Sequence, residues 1–147
     1  MLELVIVLVL VGVLAVFAAP RVFTTTSITL PALAAQLIAN IRYTQSLSMS
    51  RGQRYRINFT ANTYQITDMS GVPIVQPLTA GTGAISVSPA SLTGFNPPLI
   101  NSYVAFDGKG VPYISATTAL AGTATITLTS GSDASSFLIA PQTGRVK

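Results

Sequence analysis

The sequence predicts an α+β chain: a long N-terminal spine helix, broken near Gly12–Pro20, that packs on a small antiparallel β domain. Three observations carry this expectation. Residues 1–19, MLELVIVLVLVGVLAVFAA, form an apolar run interrupted only by the acid Glu3 and the glycine Gly12. From Ala32 to Arg51 apolar residues recur at steps of three and four, the period of a helix. Beyond Gly52 the period falls to two, the period of half-buried strands.

The apolar run has the length of a bilayer-crossing helix, about 20 residues. No Lys or Arg precedes it and the first basic residue is Arg21. A secretory signal starts basic, so the run reads as a retained helix. Gly12 costs about 1 kcal/mol and Pro20 about 3 kcal/mol relative to Ala in a helix interior. Pro20 removes the bond to the Val16 carbonyl and turns Ala19 away from helical angles. A break at Gly12, Ala19 and Pro20 is therefore expected once the segment leaves lipid, where unsatisfied backbone costs several kcal/mol per group. The threonines at 24–26 and Ser27 are poor helix formers, and the spine is expected to be interrupted near Pro20 or among them. A second helical stretch then carries Pro31 in its first turn, capped by Ser27 or Thr29. Leu33, Leu37, Ile38, Ile41 and Gln45 mark its inner face, and Gly52 ends it with Arg51 in the last turn. The expected division is 1–27 apolar transmembrane or filament-core helix, 28–52 second half of the spine, and 53–147 antiparallel β-rich globular domain.

In the β region, residues 54–60 and 63–67 alternate polar and apolar about Ala61-Asn62, a hairpin. Residues 71–77 read as a short edge strand, because their prolines exclude a central place. Residues 85–88, 103–106, 111–114, 124–128, 137–139 and 145–147 complete the strands. Asp107-Gly-Lys-Gly110 is a turn. The Gly-, Ser- and Pro-rich stretches 81–83 and 89–98 read as loops.

Composition narrows the function. Only 8% of the 147 residues are charged, well below the usual quarter, while apolar residues stay abundant. That combination suits a β surface built for packing or for glycans better than a disordered tail. With no His and no Cys, the usual nucleophile–base pairs and most zinc sites are excluded, as is a disulfide framework. Asp68, Asp107 and Asp133 each stand beside Gly or Ser and read as turn acids bonding their own backbone. They form no cluster that would hold Ca²⁺. Gly108 and Gly110 around Lys109 are too short for a phosphate loop. Neither an enzyme nor a cofactor is expected. The net charge of +4 gives a mild preference for anionic partners.

Glu3 is the oddity of the apolar run. A carboxylate in apolar surroundings costs several kcal/mol unless it protonates or finds a partner. Either it sits at the membrane edge and reaches water, or it pairs with an amine on another copy of the chain. Glu3-Leu-Val-Ile-Val, Gly12-Val-Leu-Ala and Ala19-Pro-Arg-Val together resemble the N-terminal helix of type IV pilins and type II secretion pseudopilins. In that family a Glu follows a short start, a Gly interrupts the run, and a Pro with a basic residue closes it. The family's mature chain usually carries two more residues, often Phe-Thr and methylated at the amine, before the position of Met1. Ile41-Arg-Tyr-Thr-Gln-Ser, the Ser50-Arg-Gly-Gln turn, Phe106-Asp-Gly-Lys-Gly-Val-Pro and Gly144-Arg-Val-Lys are similar to the GspH/FimT-type minor pseudopilins and the mannose-sensitive haemagglutinin pilins.

The resemblance implies a structural subunit of a type IV pilus-like extracellular filament. The chain would insert in the inner membrane, be processed by a prepilin peptidase, and polymerise with its own copies through the N-terminal helix. A separate assembly ATPase would drive this, since the chain shows no nucleotide site. Glu3 would pair with the amine of Met1 on a neighbour. The alternative is a minor pseudopilin of a type II secretion system or a DNA-uptake minor pilin. In the latter group a terminal Gly-Arg-x-Arg contacts DNA; here Gly144-Arg-Val-Lys makes Arg145 and Lys147 the candidates. Arg51, Arg54 and Arg56 around Tyr55 are a second basic group. Nucleic acid is the less favoured partner, because a phosphate-binding patch needs several cations and this chain has few. The favoured reading of the terminal pair is a solvated edge strand whose charges block edge-to-edge pairing.

Overall fold

A computed structural model of the chain describes Val7 and residues 25–76, 81, 83–99 and 101–147. Met1, Glu3, Gly12, Ala19 and Pro20 lie outside the described residues, and with them the expected ion pair and helix break. Among the described residues no helix is long and apolar enough to cross a membrane.

Helix α1 spans Thr25–Arg51 and contains Pro31. Two expectations are corrected here. Thr25, Thr26 and Ser27 are helical, so the break is not among them (Pro20 lies outside the described residues), and Pro31 lies beyond the first turn, with Ser27 and Thr29 inside the helix and not its cap. A proline this far inside forfeits the bond to the Ser27 carbonyl and costs about 3 kcal/mol. Tertiary packing offsets that cost, since most helical stability in a folded protein comes from the buried face. Leu30, Ala34, Leu37, Ile41, Thr44 and Ser48, at alternating steps of four and three, are all buried. Leu33 and Ile38, expected on the inner face, are its half-buried flanks. The helix ends as its sequence signals: Gly52 adopts φ 61°, the left-handed conformation that closes a helix.

Among the described residues eight strands follow: β1 (Tyr55–Phe59), β2 (Thr63–Asp68), β3 (Ile85–Ser86), β4 (Ser91–Asn96), β5 (Tyr103–Phe106), β6 (Pro112–Tyr113), β7 (Ala124–Ser130) and β8 (Asp133–Ile139). They form a five-stranded sheet, β3-β2-β1-β5-β6, and a three-stranded sheet, β4-β7-β8. Every pairing is antiparallel. Helix α1 lies against β1 and β5 of the first sheet and β7 and β8 of the second. One core joins the three layers, with Leu37 and Ile41 from the helix, Ile57, Ile66, Val104 and Phe106 from the first sheet, and Ile126, Leu128 and Ile139 from the second.

The strands depart from expectation at three places. Of the expected edge strand 71–77, the described residues 71–76 form no strand. A single bridge, Thr67↔Pro73, and the Ile74 N–H bond to Ile66 O at 3.0 Å tie this segment to the C-terminal half of β2, while β3 takes the N-terminal half. Pro73 has no N–H to extend the ladder. Within the stretch read as a loop from 89 to 98 lies β4, bulged between Leu92 and Gly94. Pro89, Pro97 and Pro98 fall beyond the ends of that strand, so the composition that suggested a loop belongs to its borders. Residues 145–147 contribute one bridge, Ile139↔Val146, and not a strand.

Candidate functional site

The last four residues are held to β8 and Ala140 by backbone bonds and to the helix by the Arg42 side chain. Leu138 and Lys147 exchange both N–H···O bonds at 2.9 Å, and Ala140 N donates to Arg145 O at 2.9 Å. Val146 points inward and is buried, while Arg145 and Lys147 on either side are exposed. From α1, Arg42 Nη2 donates to the Val146 carbonyl at 3.0 Å. Gln45 Nε2 bridges two loops, donating to Gly110 O at 3.0 Å and Thr143 O at 2.6 Å. Gly144 sits under this clamp at φ 63°. A Cβ there would lie 2.5 Å from both Gln45 Nε2 and Gly110 O and 2.9 Å from Phe106 Cε1, so no other residue fits. The two terminal cations thus stand at the outer edge of the three-stranded sheet on a rigid support. Neither Arg42 nor Gln45 was assigned this part from sequence. Gln45 shows at most as a polar residue on an apolar face.

The second basic group lies elsewhere. On β1, Tyr55, Ile57 and Phe59 point into the core, so Arg56 and Asn58 face outward. The Arg56 guanidinium carbon lies 5.1 Å from the Tyr103 ring centre, and that of Arg54 lies 4.0 Å from the Tyr113 ring centre. Arg54 also donates to the Ala116 carbonyl. Arg51, at the helix end, donates to the Tyr55 hydroxyl at 3.2 Å, which raises its already high pKa. Asp68 and Asp107 do what turn acids do. Asp68 Oδ1 accepts from Ser70 N and Val72 N, and Asp107 Oδ1 accepts from Lys109 N and Val111 N.

Buried polar groups form a third feature. Asn40 Nδ2 donates to the Tyr64 hydroxyl at 2.8 Å, and both residues are almost fully buried. Burial pushes the Tyr64 pKa up, and the Asn40 bond counters this in part. Thr44 and Ser48 return their hydroxyls to the carbonyls one turn back, and Ser48 Oγ accepts from Tyr55 N at 3.3 Å. Among the described residues no three His, Cys, Asp or Glu side chains converge as a metal would require. A shallow depression of about 480 Å³ between Leu30, Pro31 and the β7–β8 turn carries, among the described residues, a single ionisable side chain, Asp133.

A helix laid across two antiparallel sheets, with the chain end returned to the helix, can be compared with solved structures. The chain resembles the Pseudomonas aeruginosa type IV minor pilin FimU in two crystal forms. The identities are 16% and 17%, with 80% of this chain covered in each, 90% and 86% of the FimU chain covered, and TM-scores of 0.57 and 0.55. The fold is that of a type IV pilin. No family model and no curated protein sequence matches the chain. At this identity the likeness lies in the fold alone. In this pilin-like frame Arg145 and Lys147 stand at the edge of the small sheet, and Arg54 and Arg56 on the outer face of the large one.

Proposed function

We propose that this chain is a structural subunit of a type IV pilus-like filament, inserted in the inner membrane through residues 1–19 before assembly and held in the filament by the same residues afterwards. One observation carries the reading. The core of the described domain already closes around Leu30, Leu37 and Ile41, and a further run of apolar residues precedes it in sequence. Such a run needs lipid or other copies to cover it. Packing between helices would supply the cohesion, and the Glu3 carboxylate paired with the Met1 amine of a neighbour would set the axial register. A break among Gly12, Ala19 and Pro20 fits a segment that leaves lipid for a helix bundle. The subunit would require an assembly ATPase and a prepilin peptidase as partners.

A second reading, a minor subunit in place of the main building block, is favoured by the likeness to a minor pilin. Glu3→Gln tests the common ground. It removes the charge with little change in shape, and losing one partner of a buried pair costs about 3–5 kcal/mol. The variant should insert in membranes normally and be lost from sheared surface filaments. Wild-type incorporation would mean that Glu3 is a membrane-edge acid.

A further inference from the structure

We propose that the outer face of the five-stranded sheet, around Arg54, Arg56, Asn58 and Tyr113, binds an acidic polysaccharide through its carboxylates. The inference does not rest on the filament reading. Arg56 lies on β1 and Arg54 immediately before it, two residues apart, about 6.6 Å in extended chain. Each guanidinium lies over a tyrosine ring, Tyr113 and Tyr103 respectively, so it is held at that ring before any ligand arrives. Arg56 is fixed again from the side, since its Nε donates to Thr67 Oγ1 at 3.1 Å. The same hydroxyl accepts from Asn58 Nδ2 at 2.9 Å. Thr67, itself 3% exposed, is therefore a hub that sets two neighbouring side chains.

The hub leaves unused chemistry behind. A guanidinium has five N–H donors. Arg54 and Arg56 each spend one on a protein acceptor, and among the described residues neither meets a carboxylate. Asp68 and Asp107, the acids adjoining β2 and β5, have an oxygen tied into their own turns. Two oriented forks without a counter-charge call for carboxylates or phosphates. Charge density decides between them. Nucleic acid carries a phosphate on every nucleotide and is held by many cations. Here two cations stand among an amide, Asn58, and the hydroxyl of Tyr113, groups suited to sugar hydroxyls. A polymer with one carboxylate per sugar matches that ratio.

The test uses the full chain in neutral detergent and immobilised polygalacturonate, with its fully methyl-esterified form as the uncharged twin. The charged polymer should bind, more weakly as salt rises, and the ester should not. Arg54→Gln/Arg56→Gln should weaken binding by about tenfold or more, as expected for lost charge-assisted bonds. Thr67→Val keeps charge and shape, and should weaken it several-fold by releasing Arg56 and Asn58. Arg145→Gln/Lys147→Gln should leave it unchanged. Equal binding of acid and ester would overturn the proposal with wild-type protein alone. Tighter binding to single-stranded DNA than to polygalacturonate would overturn it too, as would loss of binding only in the terminal double variant.

Discussion

Replacing Gly144 by Ala probes the clamp that returns the chain end to the helix. Two penalties apply. The first is the backbone: φ is 63°, and an L-residue held there costs about 1–2 kcal/mol. The second is space. The new Cβ would fall 2.5 Å from Gly110 O and Gln45 Nε2. Gln45 must withdraw, giving up its bonds to Gly110 O and Thr143 O, at about 1 kcal/mol each. Together these predict a loss of about 3–4 kcal/mol, a large part of the 5–15 kcal/mol that holds a typical domain together. Gly131 provides the control. Its φ is 61°, yet a Cβ there meets nothing within 4 Å, so Gly131→Ala should cost only the backbone share of about 1–2 kcal/mol. In a chain of this size each kcal/mol moves the melting temperature by about 2–4 °C. Thermal melts of both variants should separate by several degrees, with Gly144→Ala the lower. Equal melting temperatures would refute the clamp as an energetic feature and leave only backbone strain.

Two further outcomes follow. Tyr64→Phe leaves the buried Asn40 amide without its partner and should cost about 1–3 kcal/mol, whereas adding Asn40→Leu should recover part of the loss, a coupling read from a double-mutant cycle in urea. The Tyr64 pKa lies above the unfolded value near 10, so the unfolded chain ionises first; stability is intact below about pH 10, falls as pH rises through that range, and falls less steeply in Tyr64→Phe. In assembled filaments the backbone between Gly12 and Pro20 should leave the helix, each melted residue lengthening from about 1.5 Å to about 3.3 Å; a density map with unbroken helix there would reject that expectation.

Much of the β domain was legible because its signals are local. The alternation in 54–60 and 63–67 gave β1 and β2, and Asp107-Gly-Lys-Gly110 gave the turn after β5, since strand period and turn chemistry are written in adjacent residues. What was missed depends on distant partners. Strand β4 lies between prolines, and its pairing with β7 is a property of residues about thirty to forty positions away. The helical state of Thr25–Ser27 defies local propensity, because burial of Leu30 and Ala34 outweighs it. Arg42, Gln45, Asn40 and Tyr64 acquire their parts only when helix and sheet meet. Arg54, Arg56 and Tyr55 were noticed as a basic and aromatic group. The stacking partners Tyr103 and Tyr113 come from β5 and β6, and no spacing in the sequence could have named them.

The central claim is that residues 1–19 are covered by other copies of the chain. The protein has no cysteine, so a disulfide scan has no background. Single cysteines placed in turn from Leu4 to Phe17, oxidised in intact cells, should give covalent products between chains at the positions that face neighbours, and Glu3→Gln should abolish them. Monomer at every position, with equally accessible thiols throughout, would contradict the account.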